Sequence, residues 1–135
     1  MDWKVKDSDV KEVIRRVGAS KAPGPDGISN SLLKTCDKDG RLSAILAKIT
    51  QASFDLGYYP KCWHTTHVIV LLKLRKSINN KKHAGAYRPV TLLDVTGKIV
   101  EAILTERIST VVETARVLPD LQFRFRKKRA TDIAI

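Results

Sequence analysis

KAPGPDGI, residues Lys21 to Ile28, decides how the chain is read, because few residue types in it serve packing. Two prolines bracket Gly24, and Asp26-Gly27 closes the turn. Proline fixes φ and removes an amide donor, whereas glycine admits φ > 0, so the octet is a shaped loop between two helix-like segments. It carries Lys21 and Asp26 on a rigid frame, which suits a contact surface better than a linker. An ordinary Pro/Gly turn has the same local signature, so its meaning comes from the rest of the chain.

Working outward, Ser8 is placed to cap a helix whose apolar residues Val10, Val13, Ile14 and Val17 follow the i, i+3, i+4, i+7 rule, with Gly18 at its end. Ser29 is placed to cap a short helix through Leu32 and Leu33. The clearest helix runs from Arg41 to Leu56, with Leu42, Ile45, Leu46, Ile49 and Ser53 on one stripe and Gly57 as its stop. Thr65 to Lys73, TTHVIVLLK, is β-branched and continuously apolar in its middle, which predicts a buried strand. Leu74 to Ala86 is a polar, basic connection. Asp94 or Thr96 caps a long helix carrying Ile99, Val100, Ile103, Leu104, Ile108, Val111 and Val112, in a region ended by Pro119. Leu121 to Arg126 alternates apolar and basic residues like a short strand, and Thr131 looks like the cap of a helix that has run barely a turn at Ile135. So short a helix gains almost nothing from propagation, so the chain reads as a fragment. The expected class is α+β: mostly helical with a small antiparallel sheet, residues 1–135 forming one partial domain.

Composition agrees with a nucleic-acid partner. Twenty-five Lys and Arg face 14 Asp and Glu, a formal net charge of +11 that draws polyanions. A membrane is not an expected partner. No apolar run approaches the ~20 residues of a spanning helix, and no helix carries its lysines in the interfacial pattern. The start, MDWKVKDSD, lacks the apolar core of a secretory signal. Cys36 and Cys62 give no disulfide framework, so a reducing compartment is the default. The expected location is intracellular, nuclear or cytoplasmic, and not secreted.

Five motifs occur in order. They are APGPDG; the turn Gly57, Tyr58, Pro60, Trp63; the apolar strand ending at Lys73; Tyr87-Arg88-Pro89-Val90-Thr91-Leu92-Leu93 with its Gly97-Lys98 helix; and Gln122-Phe123-Arg124-Phe125-Arg126. Each alone is weak, but the ordered series resembles the amino-terminal part of the reverse transcriptases of LINE-type (non-LTR) retrotransposons, from about Ser20 to Ile135. The resemblance implies a fingers and palm-entry region, truncated before the catalytic palm. It implies a parent activity of RNA-templated DNA synthesis from deoxynucleoside triphosphates with magnesium, on an RNA template and a DNA primer. By the same resemblance Lys73 and Arg88 grip the incoming triphosphate. Arginine offers a planar fork for phosphate oxygens and lysine a mobile point charge, and Pro89 biases Arg88 to extended backbone. Solvated surface charges would look the same in composition.

Lys21, Arg75, Lys76, Lys81, Lys82, Arg124, Arg126, Lys127, Lys128 and Arg129 are the candidate nucleic-acid contacts. The last cluster holds five basic residues in six, which also suits a localisation signal or a solvated charge run. Two departures from the family pattern stand out. Leu74 and Arg75 replace the usual Pro-Gly after the lysine, and Arg124 replaces the glycine of Gln-Phe-Gly-Phe-Arg.

The family's metal-binding carboxylates lie on a later strand and in a Tyr-x-Asp-Asp hairpin, neither of which this sequence contains. Asp37 and Asp39 sit in a CDKDG turn without further calcium ligands, and Asp26, Asp55, Asp94, Asp120 and Asp132 are scattered among caps and turns. The chain alone is therefore expected to be inactive and to bind no cofactor. Cys62, His64 and His67 lack a second ligand pair at structural-zinc spacing. Tyr58, Tyr59 and Trp63 suit base stacking but fit better as core closers, with only eight aromatic residues to serve the chain. The alternatives are a non-catalytic basic RNA- or DNA-binding module and a non-functional relic. In the fragment reading, apolar surface that the missing palm strands should cover favours self-association or partial disorder.

Overall fold

The computed structural model describes residues 3–73, 83–119, 121, 122 and 126. In chain order the elements are α1 Asp7–Arg16, α2 Asn30–Cys36, α3 Arg41–Leu56, β1 His67–Leu72, β2 Tyr87–Leu92 and α4 Val95–Thr114, with single-turn 3-10 helices at Lys61–Trp63 and Ala84–Ala86. The class is α+β: among the described residues, four α-helices and one two-stranded antiparallel sheet.

The core lies between the helices. Val10, Val13 and Ile14 of α1, Leu33 of α2, Leu46 and Ala47 of α3, and Val95, Ile99 and Ile103 of α4 form one buried cluster with Val5. Ile99 and Val10 are wholly buried, each contributing about 1.5–3 kcal/mol of transfer free energy. Buried polar groups are answered locally. Asn30 donates to the Gly18 carbonyl at 2.7 Å, the Ser43 hydroxyl to that of Gly40 at 2.9 Å, and the Thr50 hydroxyl to that of Leu46 at 2.7 Å. Arg107 of α4 reaches across to α1, donating to Asp9 at 2.9 Å and to the Lys4 carbonyl at 2.8 Å.

Helix boundaries follow the caps. Ser29 accepts the Leu32 amide at 3.1 Å, and α3 ends on Gly57 at φ 59°. Helix α1 starts earlier than its serine suggests: Lys6 is the cap residue, and its amide is taken by the Asp9 carboxylate at 3.1 Å. Helix α4 stops well short of Pro119. Arg116 turns left-handed at φ 50°, and Val117 donates back to the Val112 carbonyl at 3.2 Å, a Schellman closure made without glycine.

Three expectations are corrected. The buried face of α3 is Ser43, Leu46, Ala47 and Thr50, while Ile45 and Ile49 are exposed, because small residues admit the close approach of α1. Helix α4 is buried only through Ile103; Leu104, Ile108 and Val111 are exposed. Strand β1 is exposed at all six positions, because no helix packs extensively on it among the described residues, whereas β2 is half-buried at Tyr87, Val90 and Leu92. The strand expected at 121–126 and the helix after Thr131 fall wholly or mostly outside the described residues.

The KAPGPDGI loop docks on the start of α4. Gly27 donates to the Gly24 carbonyl at 3.1 Å and takes φ 68°, which tightens the turn. The Asp94 carboxylate, almost fully buried, accepts the Asp26 amide at 3.1 Å and makes no capping bond to its own helix. A Cβ on Gly24 would lie 2.5 Å from the Asp94 nitrogen and 2.6 Å from its Cα. Gly24→Ala is therefore expected to destabilise by about 1–3 kcal/mol. Gly85→Ala, which meets open space, should stay within about 0.5 kcal/mol; urea unfolding of both variants checks the contrast.

Trp63 is buried beside Tyr59, ring centroids 5.4 Å apart, and both crowd Gly97 of α4. The Tyr59 hydroxyl is shut off from solvent with no hydrogen-bond partner. Burial, helped by the Glu101 carboxylate nearby, raises its pKa above the usual 10.0. The folded state thus favours the neutral phenol. That contribution is full below the unfolded pKa and is lost as pH climbs through the folded one. Tyr59→Phe should leave neutral-pH stability within about 1 kcal/mol of the parent and make its alkaline decline shallower, as urea midpoints measured from neutral to strongly alkaline pH will show.

Candidate nucleotide and nucleic-acid interface

The hairpin register is fixed along its length: His67 opposes Leu92, Ile69 opposes Val90, Leu71 opposes Arg88 and Leu72 opposes Tyr87. The Lys73 amide donates to the Ala86 carbonyl at 2.9 Å and carries the ladder one residue further. Opposed residues, and residues two apart along a strand, share a face. Lys73, Leu71 and Ile69 therefore stand on one face with Ala86, Arg88 and Val90. Lys73 and Arg88 are diagonal neighbours there, about 7–8 Å apart at the backbone. Arg88 is exposed, and Lys73 is half-buried with its ammonium donating to the Gly85 carbonyl at 2.9 Å. Both triphosphate candidates thus lie at the end of the hairpin away from α4. A carbonyl-tethered lysine is pre-positioned, whereas the arginine fork stands open to a ligand.

Of the other candidate cations, Lys21 and Arg126 are among the described residues. Lys21 is exposed at the entry to the docked loop, its amide donating to the Gly18 carbonyl at 3.3 Å. Arg126 is engaged inside the chain. Its guanidinium makes a two-pronged pair with Glu113 at 2.8 and 2.7 Å and donates to the Pro119 carbonyl at 2.8 Å, leaving the side chain 5% exposed. It closes the segment after α4. Arg75, Lys76, Lys81, Lys82, Arg124, Lys127, Lys128 and Arg129 lie outside the described residues.

The carboxylates serve turns and caps. Asp26 accepts the Ile28 amide at 3.0 Å, Asp37 the Ser43 amide at 2.7 Å and Asp39 the Arg41 amide at 3.1 Å, while Asp55 accepts from Gln51 at 2.8 Å. Among the described residues no three His, Cys, Asp or Glu side chains are grouped to hold a metal ion. Cys62 lies in a 3-10 turn, not on a strand; His64 stacks on Tyr59 with a ring nitrogen 3.0 Å from the Tyr59 carbonyl, and His67 opens β1. Of the aromatics, Trp63 is core and Tyr58 is exposed.

Two residues of consequence escaped the sequence reading. Asp94 looks like a helix cap and is a loop anchor. Arg107 is one cation among many, and no local pattern marks it as the tie between α4 and α1. The buried glycine between two prolines was the available signal for the first.

No protein-family model matches the chain. It is 32% identical over 123 residues to the RNA-directed DNA polymerase from mobile element jockey of Drosophila melanogaster, which covers 91% of this chain and 13% of that protein. It is 31% identical over 133 residues, 93% of the chain, to the Retrovirus-related Pol polyprotein from type-1 retrotransposable element R1 of Bradysia coprophila. A similar match, 32% over 123 residues, is made to the probable RNA-directed DNA polymerase from transposon X-element of Drosophila melanogaster. The chain spans only 12–13% of the length of these relatives. The matches nevertheless cover over nine-tenths of its own length. The sequence is that of a region of a LINE-type, non-LTR retrotransposon reverse transcriptase.

Proposed function

We propose that the chain is the template- and nucleotide-gripping portion, fingers and palm entry, of an RNA-directed DNA polymerase. The observation that carries this reading is the register that puts Lys73 and Arg88 on one face of a projecting hairpin. Two cations of different kind at that spacing suit a triphosphate: the fork of Arg88 fits two oxygens of one phosphate, and Lys73 neutralises a neighbour. RNA template and DNA primer are the polymer partners, drawn by the net charge of +11.

Primer extension needs two divalent metals held by carboxylates. The described carboxylates serve as turn and cap acceptors or pair with arginines, and no three of them are grouped to hold a metal ion, so no step of the chemistry is assigned to the described residues. Magnesium belongs with acidic residues that this sequence does not supply. The isolated chain is expected to extend no primer with Mg²⁺ or Mn²⁺ on RNA or DNA templates; incorporation that survives repurification would overturn this.

Binding separates the proposal from a plain basic module. Polymer affinity should fall with salt by about 0.7 log units per log unit for each phosphate neutralised, a slope near −3 to −4 for roughly five contacts. Replacing Lys127, Lys128 and Arg129 by alanine should make the slope shallower by about two and weaken all sequences alike. Arg88→Ala should weaken deoxynucleoside triphosphate binding more than polymer binding, with only partial rescue by Arg88→Lys because the fork is lost. Titrations of both ligands at several salt concentrations decide it. Equal losses for the two ligands would remove the special role of Arg88, and a flat salt dependence would remove the electrostatic one.

A further inference from the structure

Strand β1 reads HVIVLL, and its five aliphatic residues Val68 to Leu72 are 41–60% exposed. Its outer edge has no strand partner among the described residues. Such an edge is a template for pairing unless a charge, a proline or a bulge blunts it. Strand β2 is blunted by Arg88 and by Pro89, which lacks an amide hydrogen. Strand β1 contains neither a proline nor a residue of fixed charge.

The geometry points to a second copy of this chain as the partner of the β1 edge, joined antiparallel about a two-fold axis. An axis perpendicular to the sheet keeps each face on its own side, so a residue opposes only a residue of its own face. The register centred on the aliphatic run sets Val70 against Val70 of the second copy, Ile69 against its Leu71 and Val68 against its Leu72. Every facing pair from Val68 to Leu72 is neutral and aliphatic, and at the two ends His67 faces Lys73 of the second copy without setting two fixed charges together. That matters in a chain of net charge +11, because a contact through any of its basic segments would set like charges together.

The product is a four-stranded sheet in the order β2–β1–β1–β2, a size at which a sheet gains stability that a lone hairpin lacks. Both Arg88 side chains then stand on one face, doubling the cationic surface offered to a polyanion. The side chains added by edge pairing cover on the order of several hundred Å², below the ~1,600 Å² of a standard stable interface. The dimer is accordingly concentration-dependent.

Charge substitution on the axis tests this. Val70 is 60% exposed, so Val70→Lys and Val70→Glu should each leave the helical circular-dichroism signal intact. Sedimentation should show the parent chain approaching twice its 15.1 kDa mass as concentration rises, each variant alone monomeric, and an equimolar mixture of the two dimeric again. In a Cys36→Ser, Cys62→Ser background, Val70→Cys should cross-link to itself under mild oxidation. Val68→Cys should do so only when mixed with Leu72→Cys. A parent that stays monomeric would overturn the proposal. So would variants that associate as the parent does, since contact would then run through exposed α3 and α4 residues such as Ile45, Ile49 and Ile108.

Discussion

The Asp94 carboxylate on the Asp26 amide is the contact on which the arrangement depends. It joins two stretches 68 residues apart, the proline-framed loop and the junction where β2 passes into α4. A buried carboxylate is tolerated only where donors meet it, and here the donor is a backbone amide held in place by the turn itself. Gly24 makes the approach possible, because no other residue fits 2.5 Å from the Asp94 backbone. The loop is therefore a wedge at the base of the hairpin, and the direction in which the hairpin leaves the helices is set there.

Above that base the molecule divides into two kinds of surface. The helices share one core and are cross-tied by the Arg107 to Asp9 pair, whose arginine side chain is 17% exposed. The hairpin has a full ladder but an exposed β1 and a β2 only half-buried at three positions, a combination that is marginal in water for two strands alone. Its exposed aliphatic faces and its basic end are consequences of the same projection. On the proposed function, an element that grips phosphate has to stand clear of the core to reach a ligand, and the apolar strand that carries Lys73 stands clear with it.

Much of this was legible before any coordinates. Helix α3 is bounded as Gly57 demands, Ser29 caps α2, and the strand ending at Lys73 pairs with the Tyr-Arg-Pro segment to form the expected small antiparallel sheet. What the sequence did not reveal was burial. Continuous apolarity in VIVLL signals a strand equally well whether its neighbours are present or absent, and periodicity placed Ile45 and Ile49 in the core although Ser43 and Thr50 occupy it. Helix packing selected the small residues because they let α1 approach α3. Long-range ties such as Asp94 to Asp26 and Arg126 to Glu113 leave no mark on local spacing. The basic run at 124–129 looked uniform, yet the guanidinium of Arg126 is held within the chain.

On the proposed function, a base formed before ligand arrives presents a hairpin end that binds phosphate. Amide hydrogen exchange, measured with and without a deoxynucleoside triphosphate, tests it most directly. The Asp26 amide should exchange slowly in both states, since its bond to Asp94 exists before ligand arrives. Added triphosphate should slow exchange at Lys73 and at Gly85 through Arg88, leaving α1, α2 and α3 unchanged. Fast exchange at Asp26 in the free protein, or protection appearing on the helices instead of the hairpin end, would contradict the account.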